Sequence, residues 1–434
     1  MASKRVEKSL GEVYEFRSGL SKAASEFGVG HPFLTFKDVF YNFFVPEELG
    51  DLVNSTAAER DACDVRRGDV FLTRTSETME ELGMSCVALR DIPFATFNGF
   101  TKRLRPKVDR EIVPEFAGYF FRSPQFRSDV TAMSSMSTRA SLNNDMLSRL
   151  RIALPDLSTQ AAIGTTLKSL DDKIEQNRRT ARALERLARA IFRAWFVDFE
   201  PVKAKAAGAT AFLSMPQPVF DALPTRFVDS PIGPVPDGWE VKAIASIATF
   251  LNGLALQKYP PRRDGKDLRV IKIAELRKGS ADGADWANSD VPEQYVIDDC
   301  DLLFSWSGTL EAEFWFGGKG ALNQHLFKVT SSHFPSWYCF LWIRQHLPWF
   351  RTIAASKATT MGHIKRGHLQ ETQVVVPPNE ALREAHRVIG AIYEHFAQLM
   401  IESRKLAVMR DVLLPKLLSG DVRVRVDGGA DRES

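Results

Sequence analysis

Two stretches of the chain carry the same heptad pattern, in which apolar residues recur at alternating steps of three and four. The first occupies residues 154–195 and the second residues 374–420. Such a pattern predicts a long helix with one buried seam. At about 1.5 Å per residue the first helix is roughly 50 Å long, and this length favours a spacer. The predicted seam residues are Ile163, Leu167, Leu170, Ile174, Asn177, Leu184, Ile191, Trp195, Ile389, Ile392, Phe396, Leu399, Ser403, Leu406, Leu413 and Leu417.

The two patterns belong to a longer internal repeat. With Ala181 and Ala188 added to the first seam and Ala385 and Arg410 to the second, adding 222 to each position of the first gives the second. Leu147 and Thr138 match Leu369 and Thr360 at the same offset. Loops of different length make the offset larger nearer the N-terminus. There the matched segments are 68–71 with 300–303 and 16–20 with 250–254. The chain is therefore interpreted as two copies of one unit, a mixed globular domain followed by a long helix.

The polar seam residues favour an antiparallel pairing of the two helices. In that arrangement Asn177 faces Ser403, whereas a parallel pairing buries Asn177 against Leu399. A buried amide without a partner costs about 1 to 3 kcal/mol. Arg410 then faces Leu170, which is tolerable only if the arginine stem packs and its head reaches solvent.

The predicted fold class is α+β, with two pseudo-repeated mixed α/β domains separated by a pair of long antiparallel coiled-coil helices. Within the globular parts, strands are predicted at 68–73, 87–89, 268–273 and 301–306, and a helix at 116–130. The proline-rich segment is interpreted as a linker or an irregular crossing segment. The predicted divisions are domain 1 at 1–155, long helix 1 at 156–200, the proline-rich segment at 201–235, domain 2 at 236–376, long helix 2 at 377–418 and a flexible tail at 419–434.

The composition is that of an ordinary globular protein, with 44% apolar and 26% charged residues. The sequence lacks the apolar core of a signal peptide and any run of about 18 apolar residues, so a cytoplasmic location without membrane contact is expected. The four cysteines are scattered and form no CxxC, which favours reduced thiols over a metal site. A net charge of +3 is compatible with a nucleic-acid partner but does not require one.

Several strings that resemble catalytic motifs do not satisfy the chemistry. Pro155-Asp156 and Asp171-Asp172-Lys173 match a loose nuclease pattern, but Asp171 and Lys173 fall inside the heptad helix instead of converging on a metal. The Gly317–Gly320 segment lacks the spacing and hydroxyl of a phosphate loop. His363 and His368 have no third ligand nearby. No catalytic residue, metal site or cofactor is therefore predicted in this chain.

Binding chemistry is the remaining signal. A segment rich in hydroxyl, amide and basic side chains precedes each long helix, and further cations accompany the central strands of the first copy. Such groups hold phosphates, and Arg, Lys and Asn also recognise base edges. The repetition of the segment favours DNA binding over a plain polar loop. The candidate residues are Arg66, Arg67, Arg74, Arg103, Arg105, Arg139, Asn143 and Asn144 in the first copy, and Lys357, Thr359, Thr360, Lys365 and Arg366 in the second.

In this order of features the chain resembles the specificity (S) subunit of type I restriction-modification systems. The resemblance spans nearly the whole chain and rests on the repeated helices that begin at LPDLSTQAAIG and VVPPNEALREA, the closing LAVMRDVLLPKLLSGDV and the GPVPDGWE opening of the second copy. The first copy lacks the PxGW opening, and PPNEALRE lacks the glutamine that stands at Gln160 in the first copy.

The resemblance implies a non-catalytic subunit with two target recognition domains, each of which reads one half of a split site in double-stranded DNA. It implies two methyltransferase (M) subunits that use S-adenosylmethionine, and restriction (R) subunits that use ATP and Mg²⁺. Two alternatives stay open at this stage: a DNA-modifying or DNA-cleaving enzyme with an unrecognised site, and a coiled-coil adaptor without DNA binding.

Overall fold

A computed structural model describes residues 5–76, 81–133, 135–136, 140–213, 215–356 and 362–424. The chain divides into two compact units. Unit 1 comprises Met1–Lys173 with Leu406–Ser434, and unit 2 comprises Ile174–Lys405. Each long helix therefore contributes residues to both units. The predicted candidates Arg139, Lys357, Thr359 and Thr360 lie outside the described residues.

Unit 1 contains an antiparallel four-stranded sheet at its centre. Its strands stand in the order Tyr14–Ser18, Thr101–Pro106, Val70–Thr73 and Ser85–Val87. A second sheet places Phe27–Leu34 between an antiparallel and a parallel neighbour, Asp51–Val53 and Thr96–Phe97. The smaller elements are the pair Val6–Ser9 with Arg151–Leu154 and the three-stranded sheet Ser135–Met136, Ala140–Ser141 and Thr75–Ser76.

Unit 2 repeats this plan. Its central sheet has the order Thr249–Asn252, Leu326–Thr330, Leu302–Ser305 and Ala312–Phe314. In its second sheet, Leu268–Ile271 stands between an antiparallel and a parallel neighbour, Trp286–Ala287 and Gly320–Leu322, and Val296–Ile297 completes the sheet. The remaining pairs are Glu240–Ala243 with Gln373–Val376 and Phe227–Val228 with Val235–Pro236.

A pair of matched glycines shows how closely the two copies agree. Gly19 follows the first strand of the central sheet in the first copy, and Gly253 takes the same place in the second. A Cβ atom on Gly19 would lie 2.3 Å from the Phe97 carbonyl oxygen, and one on Gly253 would lie 2.2 Å from the Asn323 oxygen. Only glycine permits this approach of two backbones. The predicted duplication is confirmed in topology and in this detail.

The predicted short elements are present with shifted bounds. The helix expected at 116–130 is broken into Pro114–Phe120 and Pro124–Met133, because Pro124 cannot continue the first helix. The other helices outside the long ones are Leu10–Val13, Phe36–Tyr41, Ala57–Ala62, Asn144–Arg149, Glu200–Ala206, Gln217–Asp221, Ile244–Ile247, Ile273–Lys278, Ser336–Ala355 and Arg366–Glu371, with 3₁₀ turns at Ala24–Glu26, Leu256–Lys258 and Glu293–Tyr295.

The first long helix is Leu157–Phe192, and a π-helical turn at Arg193–Val197 follows it. The second consists of Asn379–Ala385, a π-helical turn at His386–Gly390 and Ala391–Ser419. Every predicted seam residue is buried or half-buried. The two long helices that the amphipathic pattern predicts are therefore present.

The helices run antiparallel in each unit. In unit 2, Asn177 Nδ2 donates a 2.7 Å hydrogen bond to Glu402 Oε2. Farther along the first helix, Ala188 shares a core with Ala385 of the second. From Asn177 to Ala188 the residue number rises along the first helix, whereas from Glu402 to Ala385 it falls along the second. The two helices therefore run in opposite directions. The antiparallel prediction is confirmed, but the hydrogen-bond partner of Asn177 is Glu402 and not Ser403, whose hydroxyl donates to Leu399 O.

The contacts of the Arg410 guanidinium in unit 1 differ from those expected. Its side chain is 17% exposed, and its guanidinium forms a 2.6 Å ion pair with Asp171, pairs with Asp411 and lies over the Phe43 ring. Asp171 also accepts a 2.6 Å hydrogen bond from the Tyr119 hydroxyl. Sequence spacing placed Arg410 against Leu170 and missed the carboxylate at the next position. This contact fastens the second long helix to the globular part of unit 1.

The proline-rich segment differs from an extended linker. It folds into the helices Glu200–Ala206 and Gln217–Asp221, and it buries Val202, Val219 and Phe220 in the core of unit 2. Prolines at the first turns of these helices start them instead of breaking them. Among the described residues, no helix combines the length and the apolar character that crossing a membrane requires.

Candidate nucleic-acid interface

Four of the predicted DNA-binding arginines lie near the start of Val70–Thr73, the central strand of unit 1. Arg66 and Arg67 precede this strand, and Arg103 and Arg105 belong to its neighbour Thr101–Pro106. Arg105 donates to both carboxylate oxygens of buried Asp69, at 2.7 and 2.6 Å. Arg103 lies 2.8 Å from the Asp64 carboxylate. Burial raises the pKa of Asp69, and the hydrogen bonds from Arg105 oppose this shift. Arg103 and Arg105 therefore neutralise acids of their own domain.

The other two arginines at this end also have internal partners. Arg66 pairs with Asp64, and Arg67 donates to Glu115 at 3.0 Å and to the Leu89 carbonyl oxygen. Both side chains are exposed, so each pair is weak. We call Arg66, Arg67, Arg103 and Arg105 the strand-start cluster.

The same end of the central strand carries the opposite charge in unit 2. Gly68 corresponds to Cys300, and both have left-handed backbones, with φ of +88° and +71°. The residues that replace Arg66 and Arg67 are Asp298 and Asp299, of which Asp299 is paired with Arg404. Burial raises the pKa of the Cys300 thiol, and the neighbouring aspartates raise it further. A surface that binds one polyanion through both repeats is therefore not expected at the strand start.

The carboxyl end of the central strand has a shared backbone plan instead. In unit 1, Ser141 pairs with Thr75, and Leu142 N donates to Arg74 O at 2.9 Å. In unit 2, His363 pairs with Ser307, and Ile364 N donates to Trp306 O at 3.0 Å. In both repeats the polar segment that precedes the long helix is thus fixed to the end of the central strand by main-chain bonds.

An asparagine turn completes this end of each sheet. Asn98 Oδ1 accepts from Phe100 N at 2.7 Å, and Asn323 Oδ1 accepts from His325 N at 3.2 Å. We call this region the strand-end patch. In unit 1 it comprises Arg74–Ser76, Asn98–Phe100, Lys102 and residues 140–144, and in unit 2 it comprises Asn252, Trp306–Ser307, Asn323–His325 and residues 362–366.

The unit 1 patch contains two adjacent cations. Lys102 Nζ donates to Asn144 Oδ1 at 2.7 Å, and neither Lys102 nor Arg74 forms an ion pair with another residue described by the structure. Burial lowers the pKa of Lys102, and the charge of Arg74 lowers it further. Arg74 Nε is buried and has no hydrogen-bond partner among the described residues. Two unneutralised cations side by side are a favourable place for an anion.

The unit 2 patch is aromatic and polar. Trp306 Nε1 donates to Asn252 Oδ1 at 2.8 Å, and the Ser307 hydroxyl and His325 Nδ1 are 2.9 Å apart. The His363 ring lies edge-on to Trp306, with 6.3 Å between ring centroids. These side chains offer hydrogen-bonding groups beside a stacking surface.

Of the other candidates, Asn143 caps the helix Asn144–Arg149 by accepting from Met146 N at 2.8 Å. Lys365 and Arg366 are exposed at the start of Arg366–Glu371. The sequence signal did not single out Asn252, Trp306, Gln324 and His325. Aligning the strand ends of the two copies would have found them, because Trp306 stands where Arg74 stands in the first copy.

The two carboxylates of the nuclease-like pattern, Asp156 and Asp171, do not converge on one site. Asp156 caps the first long helix by accepting from Thr159 N at 2.8 Å, whereas Asp171 pairs with Arg410. Fifteen helical residues apart, the two carboxylates are separated by roughly 20 Å. Within the described ranges, no group of three or more His, Cys, Asp or Glu side chains could hold a metal ion.

The fold and its patches define a protein made of two copies of one mixed domain, each followed by a long helix and each with a polar patch at the end of its central strand. A family model described as the type I restriction modification DNA specificity domain matches residues 3–186 and 236–408. The chain therefore belongs to this family.

Its relatives share the length of the chain. It is 24% identical over 429 residues to the type I restriction enzyme MjaIX specificity subunit of Methanocaldococcus jannaschii, covering 96% of this chain and 92% of that one. It is 23% identical to the HindI specificity subunit of Haemophilus influenzae, covering 90% and 94%. The crystal structure of a type I S subunit from M. genitalium has a TM-score of 0.54 at 12% identity, covering 95% and 96%, which supports the fold.

Proposed function

We propose that this chain is the DNA-reading subunit of a type I restriction-modification complex, and that each strand-end patch reads one half of a bipartite target in double-stranded DNA. The observation that carries the proposal is the repeated main-chain plan at Arg74 and Trp306. Family membership supplies the class of ligand. The opposite charges at the two strand starts argue that the DNA faces the strand ends.

The two patches suit different parts of DNA recognition. Arg74 is placed to bind phosphate, since it has no carboxylate partner among the described residues, and the buried Lys102 adds its positive charge nearby. Asn144, Gln324 and His325 carry the amide and imidazole groups that form hydrogen bonds with base edges. Cations position the duplex, and the amides and imidazoles then distinguish its sequence.

The chemistry of methylation and cleavage is assigned to other subunits. We propose that two methyltransferase (M) subunits supply the S-adenosylmethionine site and that restriction (R) subunits supply the sites for ATP and Mg²⁺. The names of the relatives as specificity subunits support this division of labour. The chain itself is proposed to be non-catalytic.

The test is DNA binding by the full chain with its methyltransferase partner on a library of duplexes. The selected duplexes are expected to share two short sequences separated by a gap of fixed length and variable sequence. Mapping methylated positions in cells with and without the chain provides a second measurement. Equal binding to all duplexes at moderate salt contradicts the proposal, because a specific complex is about 10³-fold or more tighter than a non-specific one.

Arg74→Gln is expected to weaken binding by a similar factor on every target sequence. Because one phosphate contact is lost, the slope of log K against log salt should fall by about 1. Arg66→Gln is the matched control, since Arg66 is exposed at the opposite end of the same strand and pairs with Asp64. Salt titrations of both variants check the prediction, and equal slopes for the two would place the DNA elsewhere.

A further inference from the structure

A cavity of about 850 Å³ lies beside the second sheet of unit 2. Its walls include Leu256, Val270 and Trp286. Its polar lining includes Gln257, Arg263, Asp267, Lys272, Asp285 and Asn323. Apolar walls with a few convergent polar groups are typical of a site that encloses a ligand. We call it the Trp286 cavity.

Trp286 provides a flat surface in this cavity. Its side chain is 45% exposed although it belongs to a strand. The guanidinium of Arg269 lies 3.7 Å from the centroid of the indole ring, and Arg269 is itself held by a 2.8 Å hydrogen bond to Ala284 O. The ring is therefore fixed in orientation before any ligand arrives. A fixed, half-exposed indole is a platform on which another ring can stack.

The loop beside the cavity is also preorganised. The Asp267 carboxylate accepts hydrogen bonds from the backbone N of Arg262 at 3.0 Å and of Arg263 at 2.7 Å. Arg262 is fastened to Asp290, and Arg263 has the left-handed φ of +58°. A left-handed arginine is a strained conformation that the surrounding bonds maintain. Of the two carboxylates in the lining, Asp285 is paired with Lys272, and Asp267 is engaged by the backbone N–H groups of the loop. Arg263 also lines the cavity and forms no ion pair with the described residues, so its charge is available to an anion.

The cavity adjoins the strand-end patch through Asn323. The Asn323 Oδ1 accepts from His325 N, while Nδ2 donates to no described residue. The backbone of Asn323 also bridges to Leu254. A ligand in the cavity can therefore be continuous with DNA on the patch.

We infer that the Trp286 cavity receives one nucleobase turned out of the duplex stack, with its phosphate near Arg263. This inference rests on the proposed function. A concave site with an aromatic wall fits the face of a base, whereas a base edge in a groove is reached by protruding side chains. In the first copy the strand position that corresponds to Trp286 holds Leu52, which pairs with Pro32 as Trp286 pairs with Arg269. The site therefore belongs to the second half-target alone.

The experiment uses the full chain with its methyltransferase partner and duplexes in which each base pair of the mapped second half-site is replaced in turn by a mismatch. At one position the mismatch is expected to tighten binding by the wild-type chain about tenfold, because an unpaired base leaves the stack more easily. Permanganate oxidation should reveal the same unstacked position when it holds thymine.

Trp286→Ala is expected to weaken binding to the intact target about tenfold or more and to remove the gain from the mismatch. Trp286→Phe keeps a ring and should retain most of both effects. Trp349→Ala is the matched control, because Trp349 is 58% exposed on the helix Ser336–Ala355 and does not line the cavity.

The inference is overturned if no mismatch in the second half-site tightens binding, or if Trp286→Ala behaves like Trp349→Ala while the bipartite target is still selected. It is also overturned if Trp286→Ala abolishes the binding of deoxynucleoside monophosphates to the free chain but does not change its affinity for duplex DNA. The ligand of the cavity would then be a free nucleotide and not a base of the target. If the wild-type chain selects neither half-site, the proposed function itself is contradicted. Failure of the proposed function is therefore distinguishable from failure of the base-binding inference.

Discussion

Replacement of residues 1–155 by the corresponding segment of a relative with a different target is expected to exchange one half of the recognised sequence and to leave the other half unchanged. The reason is that the first strand-end patch lies wholly inside this segment. Each half-site contributes its own set of base contacts, so affinity for the former half-site should fall by about 10³-fold. Selection of DNA from a duplex library measures both halves at once.

The chimera must keep the contacts that fasten this segment to the long helices. Phe43 lies under the guanidinium of Arg410, and the Tyr119 hydroxyl donates to Asp171. The transplanted segment should therefore carry Phe43 and Tyr119, so that a failure to fold is not mistaken for a failure to read DNA. The reciprocal exchange of residues 236–376 is the control and should alter only the other half. A change of both halves in either chimera contradicts independent reading.

Gly19→Ala is expected to destabilise unit 1 by about 3 kcal/mol, near the upper end of the usual cost of overpacking. Its Cβ would lie 2.3 Å from Phe97 O and 2.4 Å from Asn98 O, and backbone atoms cannot move aside as a flexible side chain can. Because Asn98 belongs to the strand-end patch, selectivity for the first half-site should fall as well. Thermal unfolding and DNA selection check the two effects separately.

Gly50→Ala is the matched control for this substitution, because nothing lies within 4 Å of a Cβ at Gly50. Its stability should stay within about 0.5 kcal/mol of the wild type. Gly253→Ala should have the same effect as Gly19→Ala on the second half-site, since its Cβ would lie 2.2 Å from Asn323 O. If Gly19→Ala and Gly50→Ala are equally stable, the close approach of the two backbones does not exist.

The features that sequence predicts here depend on periodicity. The seam residues repeat every three or four positions, so a long helix with one apolar face follows from the pattern alone, whereas the antiparallel pairing is inferred from the polar seam residues Asn177 and Ser403. The duplication is visible for the same reason. These predictions need no knowledge of which distant residues meet.

The features that sequence missed depend on distant contacts. The sequence does not show that Asp64 and Asp69 pair with Arg103 and Arg105, because these side chains approach one another only after the strands pair. Arg410 lies 239 residues from the carboxylate that neutralises it. Trp306 and His325 meet through a turn and a strand end. The sequence gives the number of basic side chains, whereas the register of the strands determines which of them form ion pairs with carboxylates.

The main-chain bonds at the strand ends have a consequence for how such a protein can change over generations. Leu142 N donates to Arg74 O, and Ile364 N to Trp306 O, through main-chain atoms that every residue except proline possesses. The side chain directly after the central strand differs completely between the two copies, an arginine at Arg74 and an indole at Trp306, whereas Leu142 and Ile364 are both buried and aliphatic. Substitution at Arg74 or Trp306 should therefore cost little free energy of folding. Related proteins can then come to recognise different DNA sequences while they keep the same main-chain scaffold.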